Sequence, residues 1–298
     1  MSSIQAKFFN LIFKMMPADK PGQPHDYVAE RKRNDRKPPK PPVGVMVEEK
    51  PLNGMDADFI TKEGNEKGLV FYIHGGGFTT GAARERRYVT QDIVSNYGYN
   101  CISINYRLAP ENKWPVHLED CLRAYEKVME LGYDPKDIVF MGESAGGTLV
   151  LSLGLYLKEL ALPLPKAIVA FSPCTEQSET LPSHIGNIKT DYMLKDMVSK
   201  GLTDVLFEEK VTKEMLKDYK LSPYYGDYEN MPPIFLAASD SETLYDDSVI
   251  LYEKLKNAGH IVELDVQHDV CHAFQMFPMI PEARESLDKC FRFLSEID

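Results

Sequence analysis

A serine flanked by glycines is the first candidate for chemistry in this sequence. Ser144 lies in the pentapeptide Gly-Glu-Ser-Ala-Gly at residues 142–146, after an apolar run that predicts a strand and before a Leu-rich run that predicts a helix. Such a sharp turn exposes the hydroxyl above the sheet, and the small flanking residues let strand and helix pass closely. The pattern therefore predicts a nucleophile at Ser144, with the N–H of Ala145 facing a developing oxyanion.

A run of three glycines predicts the other side of an oxyanion hole. Gly75, Gly76 and Gly77 follow His74 and the apolar segment 69–73. Consecutive glycines tolerate positive φ angles and let a ligand approach the backbone. This is the loop that supplies oxyanion donors in lipases and esterases. We expect the N–H groups of Gly76 and Gly77 to receive the oxyanion, while Gly75 and His74 shape the loop.

The segments around these motifs alternate between strand and helix patterns. A hairpin signal at Asn53-Gly54 joins the first two strands, and the later strands are continuous apolar runs. The order predicts an α/β fold with an open, mostly parallel sheet of about eight strands flanked by helices. The predicted strands are 44–49, 55–60, 68–74, 100–106, 137–142, 166–172, 233–239 and 261–266, and the predicted helices include 84–97, 115–131, 145–160, 244–258 and 281–296.

Composition limits the classes of partner. The chain has 298 residues and a net charge of −11, which suits one large α/β domain and disfavours nucleic acid or an anionic membrane as the main partner. Its five cysteines show no metal-ligand spacing, so we expect free buried thiols in a reducing compartment. Asn10 and Lys14 interrupt the N-terminal apolar stretch, which argues against a signal peptide. We therefore predict a cytoplasmic protein without a stable membrane anchor.

The chain divides into two predicted parts. Residues 1–42 form an N-terminal helical cap segment with a Pro-rich connector, and residues 43–298 form the catalytic domain, with a cap insertion at about 178–222. Residues 4–16 predict an amphipathic helix that packs on the domain, closes a pocket as a lid or contacts a membrane, the last being least favoured. Its predicted covering face is made of apolar side chains, namely Ile4, Phe8, Leu11, Ile12 and Met15.

Three motifs together carry a family resemblance. Residues 74–77, 106–111 (Tyr-Arg-Leu-Ala-Pro-Glu) and 142–146 resemble the hormone-sensitive-lipase-like family of α/β-hydrolases, in consistent order and spacing. Within that family, the resemblance is to the branch of bacterial carboxylesterases and acetyl esterases. The resemblance extends over about residues 43–298. It implies an α/β-hydrolase fold under a helical cap. The N-terminus and an insertion near 184–220 match that cap by position only.

The resemblance also places the acid of a catalytic triad. The order for this fold is serine, acid and histidine, so the acid must follow a late strand such as 234–239. Alignment on Leu244 puts Glu242 at the catalytic place, where the family commonly has aspartate. Asp240 and Asp246 are the alternatives. We favour Glu242, and we expect Asp246 to lie in the first turn of the next helix.

The histidine of the predicted triad is His272. The Ala-Phe that follows it resembles the family motif and favours it over His268. Glu143, beside the nucleophile, is expected to hydrogen-bond across the site, and Cys271 is expected to be a small buried residue. A structural role is expected for the other histidines, namely His25, His117, His184 and His260.

The resemblance implies a carboxylic ester hydrolase acting on short-chain acyl esters through an acyl-enzyme, without metal or organic cofactor. The substrate would be a small-molecule acyl ester, and the sequence is compatible with a homodimer. An amidase or deacetylase acting on N-acyl substrates would use the same triad. A non-catalytic receptor of the gibberellin-receptor type is disfavoured, because those receptors lack the histidine that His272 supplies here.

Overall fold

The computed structural model describes residues 2–16, 25–178, 180–194 and 205–297. Within them, eight strands form one sheet in the order β1-β2-β4-β3-β5-β6-β7-β8. The first two strands and β4 pair antiparallel, and all later pairings are parallel. The strands are β1 Val45–Leu52, β2 Met55–Lys62, β3 Leu69–Ile73, β4 Asn100–Ile104, β5 Ile138–Glu143, β6 Ala167–Phe171, β7 Ile234–Ser239 and β8 Val262–Gln267.

Helices cover both faces of the sheet. One face packs against α4, α5 and α7, and the other packs against α3 and α8. Every residue of β3, β5, β6 and β7 is buried, which explains why those segments read as unbroken apolar runs. The helices are α1 Ile4–Met15, α2 Tyr27–Asn34, α3 Arg87–Asn96, α4 Val116–Glu130, α5 Ala145–Glu159, α6 Pro182–Gly186, α7 Tyr245–Asn257 and α8 Pro281–Glu296.

The predicted fold class is confirmed. The hairpin between β1 and β2 turns at Asn53 and Gly54, whose φ angles of 52° and 81° suit a tight two-residue turn. The helix predicted at 84–97 begins as a 3₁₀ turn over Ala83–Arg86 before α3. The insertion contributes α6 and a 3₁₀ turn at Met215–Lys217, while its residues 195–204 lie outside the described residues. The division into cap segment and catalytic domain stays a prediction.

The structure overturns the predicted covering face of α1. The helix packs through Ala6, Phe9 and Phe13 on a small apolar cluster near α8, and the Phe9 and Phe277 ring centroids are 4.7 Å apart. The polar residue Asn10 lies on the same side of the helix, because its amide donates a hydrogen bond to the Asp269 carbonyl. The apolar side chains assigned to the covering face are instead exposed, namely Ile4, Phe8, Leu11, Ile12 and Met15.

Two further findings bear on the predictions from composition. Four of the five cysteines, Cys101, Cys121, Cys271 and Cys290, are buried free thiols, as expected. Among the described residues, no helix is both long and apolar enough to cross a membrane.

The reversed face of α1 predicts opposite results for two neighbouring phenylalanines. Phe9→Ala removes a ring that packs on Phe277. The loss of this buried apolar surface should lower the free energy of unfolding by about 1–2 kcal/mol. Phe8→Ala is the matched control, and it should change that free energy by less than about 0.5 kcal/mol because the Phe8 ring is 59% exposed. Urea denaturation measures both, and equal losses would contradict the packing described here.

Candidate active site

Ser144 lies in a strained turn at the centre of the sheet. It connects the end of β5 to the start of α5 with φ 55° and ψ −125°, a conformation that a residue with a side chain rarely adopts. Its N–H donates to the carbonyl of Phe171 at 2.8 Å, which fixes the turn to β6. A Cβ on Gly146 would lie 2.0 Å from the Ile73 carbonyl oxygen, so only glycine lets α5 start this close to β3.

His272 reaches the same cavity from the loop after β8. Its Nδ1 is 2.5 Å from Oε2 of Glu242, and both side chains are almost fully buried. Within the described part of the chain, its Nε2 has no hydrogen-bond partner. With Nδ1–H donated to the carboxylate, Nε2 carries the lone pair of a neutral imidazole. Because Ser144 and His272 line one cavity, this nitrogen is available as a base for the serine hydroxyl.

Two serines hold Glu242 in place. The N–H of Ser239, the last residue of β7, and the hydroxyl of Ser172 both donate to Oε1 of Glu242, at 2.8 and 2.9 Å. The Ser172 hydroxyl also accepts the N–H of Ala273 at 3.1 Å, so it joins the acid to the backbone beside His272. Sequence reasoning assigned Ser172 no role. A polar residue directly after the fully apolar strand β6 was the available signal.

The rival residues are engaged elsewhere. Asp240 lies 2.6 Å from Nδ1 of His268, whose side chain is 70% exposed. Asp246 accepts the N–H of Ser183 at 2.7 Å and lies in the first turn of α7, as expected from the sequence. Of the three carboxylates considered for the acid, Glu242 is the one that hydrogen-bonds to His272.

The charges around His272 favour its protonated form. Burial by itself would lower the pKa of His272, but the hydrogen bond and charge of Glu242 raise it above the ordinary value of 6.5. The negative charges of Asp191 and Glu143 act in the same direction. The site therefore stabilises the imidazolium that forms when His272 accepts a proton.

The glycine loop forms the opposite wall. Gly76 and Gly77 line the cavity together with Ser144 and Ala145. Gly76 has a φ of 115°, and a Cβ there would lie 2.3 Å from the Thr80 carbonyl oxygen. The N–H groups of Gly76 and Gly77 donate to no backbone acceptor in the described ranges, so they are available to an oxyanion in the cavity.

Glu143 connects the nucleophile turn to the glycine loop. Its Oε1 accepts the N–H of Gly75 at 2.6 Å and Nε of Arg86 at 2.5 Å, and its Oε2 accepts the Tyr72 hydroxyl at 2.7 Å. A buried carboxylate requires such partners, and the Arg86 cation compensates its charge. Sequence reasoning expected a bond from Glu143 across the site but missed Arg86. The cluster of arginines at 84–87 directly after the loop was its only signal.

His74 supports the loop as a neutral ring. Its Nδ1 lies 2.8 Å from the Gly75 carbonyl oxygen, and the ring stacks on Tyr106 with centroids 4.4 Å apart. Burial and the nearby Arg86 cation lower the pKa of His74 to about 4. The ring is therefore uncharged near neutrality, which agrees with an orienting role and no proton transfer.

Both predicted cap segments contribute to a cavity of about 490 Å³. Tyr27 and Glu30 of α2 line it from one side, and Met193 and Leu194 of the insertion line it from another. Arg31 anchors α2 to the glycine loop, because its Nε donates to the Thr79 carbonyl at 2.6 Å. Helix α1 contributes to the cavity indirectly, because it packs on Phe277, and Phe277 lines the cavity.

A mostly parallel sheet with a serine elbow after β5 and a histidine–carboxylate pair beyond β7 and β8 defines the α/β-hydrolase class. Residues 70–276 match the family described as alpha/beta hydrolase fold. An esterase of Acinetobacter venetianus is 29% identical, with 86% of this chain and 85% of the relative covered. Esterase LipU of Mycobacterium tuberculosis is 32% identical, with 76% and 77% covered.

Structural comparison leads to the same group. The crystal structure of an esterase from the bacterial hormone-sensitive lipase family matches with a TM-score of 0.87 and 26% identity, covering 99% of both chains. The chain belongs to the hormone-sensitive-lipase-like family of α/β-hydrolases. The predicted family and the predicted enzyme class, a carboxylic ester hydrolase, are confirmed.

The contacts of Glu242 predict which acid variant loses activity. Glu242→Gln places an amide where the carboxylate accepts His272 Nδ1–H and Ser239 N–H, so the imidazole loses its tautomer and orientation. We expect kcat for a chromogenic acyl ester to fall about 10³–10⁴-fold. Asp240→Asn and Asp246→Asn are matched controls that should keep kcat within about threefold. Near-full kcat in Glu242→Gln, with loss in either control, would move the acid to another residue.

Proposed function

We propose that the protein is a serine carboxylesterase that cleaves short-chain acyl esters through a covalent acyl-enzyme. The observation that carries this proposal is the buried His272–Glu242 pair: Nε2 of His272 has no hydrogen-bond partner among the described residues, and His272 lines the same cavity as Ser144. In this proposal Ser144 is the nucleophile, His272 is the base, and Glu242 is the acid that orients the base.

The first half of the reaction forms the acyl-enzyme. Oγ of Ser144 attacks the ester carbonyl carbon while Nε2 of His272 takes the hydroxyl proton. The carbonyl oxygen becomes an oxyanion and accepts hydrogen bonds from the N–H groups of Gly76, Gly77 and Ala145. His272 then gives its proton to the alcohol oxygen as the ester C–O bond breaks, and the acyl group stays on Ser144.

The second half returns the enzyme to its starting state. Water replaces the alcohol, and Nε2 of His272 removes a proton from it as it attacks the acyl carbon. The same N–H groups hold the second oxyanion. His272 protonates Oγ of Ser144 as the bond between the acyl carbon and Oγ breaks, and the carboxylic acid leaves. Throughout, Glu242 accepts Nδ1–H and stays ionised, so the negative charge faces the imidazolium in both steps.

The preference for short acyl chains rests on the resemblance to bacterial carboxylesterases and acetyl esterases and on the cavity. Its volume of about 490 Å³ must hold both the acyl and the alcohol parts of the substrate. Met193, Leu194 and Phe277 on its walls give apolar contact to both parts.

A series of p-nitrophenyl esters from acetyl to palmitoyl tests this proposal. We expect kcat/KM to be highest between acetyl and butyryl and to decline with longer chains. Ser144→Ala should lower kcat by at least about 10⁴-fold because the nucleophile is lost. The oxyanion donors remain in this variant. p-Nitroacetanilide serves as the matched amide. A folded protein that cleaves no ester, or that cleaves the anilide faster than the acetate, would refute the assignment.

The raised pKa of His272 predicts the pH dependence of the reaction. His272 must be neutral to accept the serine proton, so kcat/KM should fall as the pH decreases through a midpoint above 6.5. The profile should be measured in the pH range where circular dichroism shows the fold intact. A midpoint at or below 6.5 would mean that burial outweighs the charge of Glu242, contrary to the site described here.

A further inference from the structure

The part of the insertion that contains α6 and the residues directly after it lies along the loop that carries the acid. Side chains of this segment, residues 183–191, donate to backbone carbonyls of the acid loop, residues 240–247. The amide of Asn187 donates to the carbonyl of Glu242 itself at 2.8 Å. Further contacts join Ser183 to Thr243, Thr190 to Ser241, and His184 to Asp247. The cap segment therefore fixes the backbone on which Glu242 stands.

Asp191 ends this segment with a buried carboxylate that is only 3% exposed. Its Oδ2 accepts the N–H and the hydroxyl of Thr243, the residue after the acid, at 2.8 and 3.0 Å. Its Oδ1 accepts the N–H groups of Leu194 and Met193 at 2.9 and 3.1 Å. Four donors on two oxygens suit an ionised carboxylate. One side chain thus joins the acid loop to the cavity wall made by Met193 and Leu194.

The charge of Asp191 belongs to the surroundings of His272. Three carboxylates act in the direction of a raised pKa of His272: Glu242 from the acid loop, Asp191 from the cap segment and Glu143 from the end of β5. Glu143 already pairs with the Arg86 cation. The adjacent Cys271 stays a neutral thiol, because burial raises its pKa far above the ordinary value. Within the described part of the chain, Asp191 has a different partner set, since the four hydrogen bonds that it accepts there come from neutral donors.

We propose that Asp191 is a positioning residue for the catalytic pair, which holds the loop of Glu242 against the cap and places a second negative charge near His272. This inference rests on the proposed serine esterase mechanism. The charge stabilises the imidazolium formed in each half-reaction, in addition to Glu242. Because the same carboxylate binds the backbone of Met193 and Leu194, the substrate wall and the base share one anchor.

Asp191→Asn tests the proposal through the pH profile. Removing the charge disfavours protonation of His272, so the acid limb of kcat/KM should move to lower pH by about half a unit. The loss of imidazolium stabilisation should lower kcat about tenfold at the pH optimum. KM for p-nitrophenyl acetate should change less than twofold, because the amide oxygen of asparagine can still accept the N–H groups of Met193 and Leu194. An unchanged acid limb together with unchanged kcat would overturn the proposal.

Two further variants separate charge from structure. Asp191→Glu keeps the charge, so its acid limb should stay near the wild-type pH even if kcat falls. Asp246→Asn is the matched control, because Asp246 also joins the insertion to the acid loop, through Ser183, yet is not among the charges that raise the pKa of His272. Its acid limb should not move. An equal shift in Asp246→Asn would assign the effect to loosening of the interface and would overturn the role of the charge.

A direct titration of His272 keeps the test independent of turnover. NMR of ¹⁵N-histidine-labelled protein in the Ser144→Ala background, with and without Asp191→Asn, reports the imidazole of His272 without any reaction. We expect its titration midpoint to fall when Asp191 is replaced. If the midpoint falls while the protein with Ser144 intact cleaves no ester, the proposed function fails, but the electrostatic effect of Asp191 on His272 is supported. If esters are cleaved and the midpoint does not move, the inference fails.

Discussion

The hydrogen bond between Nδ1 of His272 and Glu242 is the interaction on which the site depends. Both groups lie in the interior, where an unpaired carboxylate or imidazolium would be costly to desolvate. The pair is stable because Ser172 and Ser239 satisfy the other carboxylate oxygen. These donors stand at the ends of β6 and β7, and the loop of His272 follows β8. The parallel register of β6, β7 and β8 therefore sets the geometry of the hydrogen bond between His272 and Glu242.

The same physical rule shapes the other half of the site. Glu143 is buried beside the strained Ser144, and its charge is stabilised by Arg86, Tyr72 and the N–H of Gly75. Those bonds connect the glycine loop to the turn at Ser144, so they hold the proposed oxyanion donors in place beside the serine. Preorganised donors of this kind require no reorganisation when the oxyanion forms.

The sequence predicts the sheet well because its central strands are buried on both faces and leave unbroken apolar runs. Alignment with the family motif on Leu244 also pointed to Glu242, the carboxylate that hydrogen-bonds to His272. The sequence did not predict the buried face of α1, because a count of apolar residues favours the face that contains Phe8 and Leu11. The helix instead packs through Phe9 and Phe13, whose rings meet Phe277. The roles of Arg86 and Asp191 were missed, since their partners Glu143 and Thr243 lie 57 and 52 residues away along the chain.

A crystal structure of the protein after reaction with a p-nitrophenyl alkylphosphonate tests the central claim most directly. The tetrahedral phosphorus mimics the intermediate of acyl transfer. We predict one covalent bond, from phosphorus to Oγ of Ser144, with the phosphoryl oxygen about 2.7–3.1 Å from the N–H groups of Gly76, Gly77 and Ala145. His272 should remain hydrogen-bonded to Glu242. A phosphoryl oxygen turned away from the glycine loop, or attachment at another residue, would contradict the account.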